Sequence, residues 1–317
     1  MRAHQPAMIA VLLAVTVGVQ GQNLAFRSTE AGQFVFDTGA YRGLLQVDDT
    51  HQGILSLVDV KTGEELAKGI KDYGLFNVYR LLASNKRWGD AGWTLPKKCR
   101  LTANGSVRID WTVAENRPFD LAAVFQWQAP DTLDMEIAVT PRQDLLKFEV
   151  FLSSYVKAGM RGLVYLGPAR HGSGKAALMP GDATPLTIGT YLSFPRNLEA
   201  AQLVCDGRWE QGQNPVQWSI TRYLAAPLAM RQDPKSGQTL LFMARPQDCF
   251  AIETSYNMDP PDGVAGHYST YLSLFGQDLK AGKEAKAVAR LVAGRGISPE
   301  AAMELYRQFT STATPGK

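Results

Sequence analysis

CFAIETSYNMDPPDGVAGHYSTYLSLFGQDLKAGKEAKAVARL, residues 249 to 291, is the stretch that decides the class of fold. It opens as an apolar run carrying one carboxylate, Glu253, and breaks at Pro260-Pro261-Asp262-Gly263. The chain resumes with His267 and an aromatic run from Tyr268 to Phe275, then crosses a second turn at Lys280 to Lys283 into a last apolar run. Runs of this length and composition, bounded by Pro, Asp and Gly, read as consecutive β-strands. A lone Glu in an apolar strand needs a partner or a purpose, because burying an unpaired charge is costly.

Working outward, the same rhythm fills the chain. Strand-like runs occur at residues 34–36, 43–47, 54–60, 73–82, 98–101, 107–113, 121–127, 133–140 and 148–156. Others follow at 187–194, 201–205, 216–220, 228–231, 239–244 and 250–254, most of them separated by Gly, Asp, Asn or Pro turns. Residues 133–139 alternate apolar with acidic, which gives one buried and one wet face. Residues 159–184 are richer in Gly, Pro and Ala and read as a long excursion, the kind of loop on which sites tend to sit. Only the C-terminus breaks the pattern. Ser298 caps a helix that begins at Pro299, with Glu300 in its first turn and Ala302, Leu305, Tyr306 and Phe309 on one face. The class is all-β, a sandwich or barrel with one short C-terminal helix.

The first residues stand apart from the fold. Arg2 is followed by an apolar run, Ala7 to Val19, and by Val19-Gln20-Gly21, which suits a cleavage site, so residues 1–21 read as a signal peptide. The run is shorter than the roughly 20 apolar residues of a membrane span. An uncleaved anchor is the alternative. The expected protein is exported, secreted or periplasmic, without stable membrane insertion after cleavage, and divides into a sandwich domain at 22–297 and a helix with a loose tail at 298–317. The formal charge of the 317 residues is +3, with no basic block, which argues against a nucleic-acid partner. Cys99, Cys205 and Cys249 are too few and scattered for a disulfide framework or metal site. If any pair bridges, Cys205 with Cys249 is the expected one, and three unpaired core thiols are the alternative. Gly172-Ser173-Gly174-Lys175 is not a phosphate loop, since Ala169 and Ala176 stand where that motif needs Gly and Ser or Thr.

Three kinds of residue are candidates for a site. Trp88 and Trp93, separated by Gly-Asp-Ala-Gly, read either as an exposed sugar-stacking platform or as a small core within their loop. His171 and His267 lie in loops that could serve proton transfer, whereas His51 sits beside Asp48 and Asp49 and reads as solvated. Glu253 is either functional or paired with an arginine such as Arg80 or Arg231. Asp259 and Asp262 are too slender a basis for calcium, so no metal and no cofactor are expected.

The order of these features resembles the galactose mutarotase-like family. Three places carry it: Asp37-Thr38-Gly39-Ala40-Tyr41-Arg42-Gly43-Leu44-Leu45 with Leu57-Val58-Asp59 and Gly63-Glu64-Glu65-Leu66; the central strands 133–139 and 148–156; and Phe250-Ala251-Ile252-Glu253-Thr254 before Pro261-Asp262 and 278–282. The resemblance implies a large twisted antiparallel β-sandwich, the galactose mutarotase-like supersandwich. It also implies a carbohydrate ligand, a mono-, oligo- or polysaccharide, held on the concave sheet face by Trp88, Trp93, Arg80 and Tyr271. In the epimerases of that family a glutamate takes the anomeric hydroxyl proton while a histidine protonates the ring oxygen. Glu253 falls on the base position. Ser153 stands where the family has its histidine, so His171 or His267 is the expected acid, with Tyr268 or Tyr271 assisting in a lyase-like variant. A non-catalytic carbohydrate-binding or scaffold module is the competing expectation.

Overall fold

Alternating side chains along long strands leave each strand with two faces to cover, and three sheets solve that problem here. The computed structural model describes residues 24–67, 73–84, 86–168, 174–180, 191–255 and 268–311. The first sheet holds β1 (Arg27–Glu30), β2 (Gln33–Asp37), β3 (Tyr41–Val47) and β4 (Gln52–Asp59) in that order. The chain continues through β5 (Asn77–Ala83), β6 (Lys86–Arg87), β7 (Lys98–Leu101), β8 (Val107–Trp111), β9 (Phe119–Ala129), β10 (Thr132–Pro141) and β11 (Leu145–Tyr155). Then come β12 (Arg161–Leu166), β13 (Ala177–Pro180), β14 (Tyr191–Pro195), α1 (Leu198–Val204), β15 (Trp218–Ile220) and β16 (Leu224–Gln232). The last elements are β17 (Gln238–Ala244), β18 (Cys249–Ser255), β19 (Ser269–Leu279), β20 (Ala285–Arg295) and α2 (Pro299–Ser311).

These strands form a nine-stranded sheet in the order β13-β12-β16-β17-β20-β10-β9-β8-β7 and a seven-stranded sheet in the order β15-β14-β18-β19-β11-β5-β6. Described pairings are antiparallel except that of β14 with β15. The two sheets share one core. Val150, Leu152, Ile252, Leu272 and Leu274 of the seven-stranded sheet cluster with Ile137, Leu240, Phe242 and Leu291 of the nine-stranded one. Phe76 meets Phe242 edge to face, with ring centroids 6.0 Å apart. The architecture is the large antiparallel sandwich with a short C-terminal helix that the sequence predicts.

Period-2 alternation explains where the helix packs. In β17, Leu240, Phe242 and Ala244 enter the sandwich core, while Leu241 and Met243 face out and receive Ala302, Tyr306 and Phe309 of α2. Ser298 starts that helix as expected, its Oγ accepting from Ala301 N at 3.2 Å.

Two expectations change and two open alternatives are decided. Residues 201–205 are not a strand but lie in and just beyond α1. Asn197 Oδ1 accepts from Ala200 N at 2.9 Å, and that cap starts a helix of good helix formers where a short apolar run alone is ambiguous. The stretch 159–184 is not wholly a loop, because β12 and β13 extend the nine-stranded sheet at its edge. Trp88 and Trp93 are not exposed, at 6% and 8% of their surface. Cys205 and Cys249 do not pair: both are free, the first exposed and the second buried. Among the described residues no helix is long and apolar enough to cross a membrane.

Candidate functional site

The two faces of the seven-stranded sheet carry different chemistry. Leu192, Ile252, Leu272, Leu274, Val150 and Leu152 point inward to the core. Their neighbours one residue away face outward, and cross-strand register sets them side by side: Ser193 opposite Glu253, Glu253 opposite Tyr271, Tyr271 opposite Ser153, and Ser273 opposite Phe151. A β-bulge perturbs the end of this array. Phe275 has a left-handed φ of 71° and Gly276 follows at 66°. The bend lets Phe275 join the inner core although its register partner Glu149 serves the outer face.

A covering segment lies over the outer face. Ala200, Leu203 and Val204 of α1 pack on Phe250 and Ala251. Beyond the helix the segment drops Arg208 and Trp209 into the layer beneath it. Arg208 is fully buried, its Nη1 donating to Glu149 Oε2 at 2.8 Å and its Nη2 to Asp206 Oδ2 at 2.9 Å, while Nε donates to Asp206 Oδ1 at 2.9 Å. The farther part of the segment is pinned by two arginines of the sheet edge. Arg87 Nη1 donates to the carbonyls of Gln211 and Gln213 at 2.8 and 2.7 Å, and Arg80 Nη2 donates to the carbonyl of Asn214 at 2.6 Å.

Glu253 sits inside this layer at 1% exposure. Ser193 Oγ lies 3.1 Å from its Oε1, and Ser273 Oγ lies 3.1 Å from both its oxygens and 2.8 Å from Glu149 Oε1. Burial, and then the neighbouring Glu149, push the Glu253 carboxyl well above the usual carboxylate range. Burial also raises Glu149, against the opposing pull of Arg208. Ser273 has one hydroxyl proton for two carboxyls. A consistent arrangement has the protonated Glu253 donating to Ser273, and Ser273 donating to Glu149, whose charge Arg208 balances. Glu253 pairs with neither Arg80 nor Arg231. Arg231 instead donates to Thr270 Oγ1 at 2.9 Å and to the carbonyls of Met160 and Ser269.

Beside that polar layer the outer face opens into a cavity of about 380 Å³. Its floor is aromatic: Phe151 stacks on Tyr271 at 4.9 Å and meets Trp209 edge to face at 4.5 Å, and Trp209 meets Trp218 at 5.1 Å. Tyr73, Tyr79 and Tyr191 form its half-buried walls, with Arg80, Tyr155, Asn214, Pro215 and Val216 completing the lining. The Tyr155 and Tyr271 rings meet edge to face at 6.1 Å, and Ser269 Oγ donates to Tyr271 Oη at 2.8 Å. Burial pushes Tyr271 up to about 12 and Tyr155 upward as well. Both phenols are therefore neutral at pH 7, able to donate and accept hydrogen bonds but poorly suited to take a proton as phenolates.

Of the residues expected at a site, Arg80 and Tyr271 line the cavity together. Trp93 stands behind it, stacked on Tyr79 at 5.0 Å and Tyr73 at 5.2 Å, where it fixes the planes of two wall residues. Trp88 belongs to the main core, edge to face with Phe119 at 5.1 Å. Glu253 is on the cavity's side of the sheet, one register pair from Tyr271, but is not part of the lining. His171 and His267, with Asp259 and Asp262, lie outside the described residues. Among the described residues no group of three or more His, Cys, Asp or Glu is arranged to hold a metal ion. Sequence reasoning missed Glu149, Arg208, Trp209 and Trp218. The available signal was the recurrence of Ser153, Ser193, Ser269 and Ser273 in otherwise apolar strands, which marks a polar layer on one face.

No protein-family model matches the sequence, and no curated protein matches it. Solved structures do. The Slr1438 protein from Synechocystis sp. PCC 6803 is 10% identical over 86% of this chain and 98% of that one, with a TM-score of 0.51. A galactose mutarotase related enzyme from Lactobacillus acidophilus is 10% identical over 83% and 98%, at 0.47. A heparan sulfate lyase from Pedobacter heparinus is 9% identical over 86% of this chain and 37% of that one, at 0.43. The likeness to galactose mutarotase-like proteins is one of fold.

Proposed function

We propose that this chain is an exported carbohydrate-binding protein whose ligand seats one sugar unit in the aromatic cavity on the outer face of the seven-stranded sheet. The observation that carries the reading is the lining itself: a concave site with stacked aromatic faces, neutral tyrosine hydroxyls and one guanidinium. Sugar C–H faces pack on aromatic rings, and the hydroxyls and guanidinium orient the polar edge. The full burial of Glu253, outside the cavity lining, favours binding without turnover, since a carboxyl without access to the occupant is a poor general base. Trp218 at the half-buried rim reports the site. Titrating the protein with mono- and oligosaccharides while following tryptophan fluorescence should give saturable quenching or enhancement. Trp218→Ala should weaken affinity about tenfold or more. No saturable response to any carbohydrate would end the proposal.

A second reading is acid and base chemistry at a sugar carbon, epimerase-like or lyase-like. It is favoured by the Glu253 carboxyl sharing one sheet face with the cavity residues Tyr155 and Tyr271, Glu253 standing opposite Tyr271 in register. Polarimetry of freshly dissolved aldoses and ultraviolet detection of unsaturated products test it. Turnover abolished by Glu253→Gln with binding retained would establish it, and binding without turnover in the wild-type protein would leave the module. Export is tested by the mass of the mature chain recovered from a native host, expected to begin near Gln22.

A further inference from the structure

The cavity contains a cation for which the described residues supply no anion. Arg80 is 1% exposed, and its neighbours are aromatic: its guanidinium carbon lies 4.9 Å from the Tyr79 ring centroid and 4.8 Å from that of Trp209. Only Nη2 is engaged, with Asn214 O at 2.6 Å and Tyr79 Oη at 3.4 Å. Nε and Nη1 are buried with no hydrogen-bond partner among the described residues. Arg208, a short way along the same face, shows the alternative, since all three of its nitrogens donate to carboxylates.

Ring faces stabilise a guanidinium but do nothing for the N–H groups in its plane. Leaving those donors buried and unmet is unfavourable, and charge-assisted bonds to an anion would recover the loss. No other Lys, Arg, Asp or Glu lines the cavity among the described residues. One positive charge without a competing carboxylate matches one negative charge on the occupant.

We infer that the ligand is an acidic sugar, carrying a carboxylate or a sulfate half-ester that docks on Nε and Nη1 of Arg80. This rests on the carbohydrate reading above and narrows it. The monoanion follows from the single guanidinium, since a phosphate ester would bring a second charge and no other cation lines the cavity among the described residues. The aromatic walls hold the ring, and Arg80 selects the charged substituent, since it is the charged residue of the lining whose donors are unmet without it.

The test compares matched probes on the full chain by calorimetry: glucuronate, its methyl ester, glucose 6-sulfate and glucose, with the corresponding galactose series. The charged sugars should bind about tenfold or more tighter than the ester or the neutral sugar, a preference that shrinks as salt rises. The tighter of carboxylate and sulfate identifies the natural group. Arg80→Gln should bring the ratio close to one. The acid-to-ester comparison uses only the wild-type protein, so it stands even if the buried substitution perturbs folding. Neutral sugar and ester binding as tightly as the acid would overturn the inference and leave the carbohydrate site intact. Failure of every probe to bind would overturn both.

Discussion

The seven-stranded sheet has an inner face made mostly of hydrocarbon, with Thr270 meeting the buried Arg231 of the other sheet, and an outer face made of serines, carboxyls and aromatic rings, although the two alternate along the same strands. Leu272 and Leu274 face the core while Tyr271 and Ser273 between and beside them face the covering segment. Both faces are buried, so exposure does not separate them. What separates them is how each tolerates burial. The inner face relies mainly on close packing, whereas the outer face satisfies its carboxyls with serines of neighbouring strands and with Arg208 of the covering segment. The inner face holds the sandwich together, and the outer face is where a ligand can be read.

That contrast can be broken at its most demanding point by Arg208→Met. Removing the guanidinium leaves Glu149 buried beside Glu253 without its counter-charge, and should cost about 3–5 kcal/mol of stability in urea unfolding. A loss below about 1 kcal/mol would mean that the outer layer is not held by this pair. Leu272→Ala is the inner-face counterpart. It should cost about 2–5 kcal/mol through a cavity, with ligand affinity unchanged in the surviving folded protein. A large change in ligand selectivity from that substitution would undo the division of labour between faces.

A finer probe is pH. The raised Glu253 carboxyl keeps its proton in the folded chain above pH 4.5, where the unfolded chain has released it. Wild-type stability therefore falls as pH rises from 4.5 towards the raised folded value, by at most about 1.4 kcal/mol per unit from this group. Glu253→Gln removes that slope, so the variant should gain on wild type between pH 4 and pH 7. Parallel stability curves for the two proteins would show that Glu253 ionises normally. The smallest expected effect is Asn197→Ala, which removes the α1 cap and should cost about 1 kcal/mol.

The sequence revealed the strands well because alternation and turn residues are local signals, as in residues 133–139 and the last three strands. It revealed the C-terminal helix for the same reason, through Ser298, Pro299 and the spacing of Ala302, Tyr306 and Phe309. It marked Glu253 as unusual, and Arg80 and Tyr271 as candidates that the fold brings to one cavity. The rest needed tertiary structure. Glu149 and Arg208 are 59 positions apart, and nothing local announces that they meet. Trp88 and Trp93 look alike among their glycines, yet one strand edge sends the first to the core and the second behind Tyr79. The run 201–205, four apolar or small residues interrupted by Gln202, lacked the length to declare its period.

The three carbonyl bonds that hold residues 211–214 to the sheet edge have a consequence of their own. One of them comes from Arg80, so the side chain that anchors this wall is also the one facing the occupant. Tension on the wall and occupancy of the cavity are then two ends of one lever. An acidic sugar that orders the Arg80 guanidinium should slow amide exchange at residues 211–214, and by reciprocity any change that frees those carbonyls should weaken the ligand by the same factor.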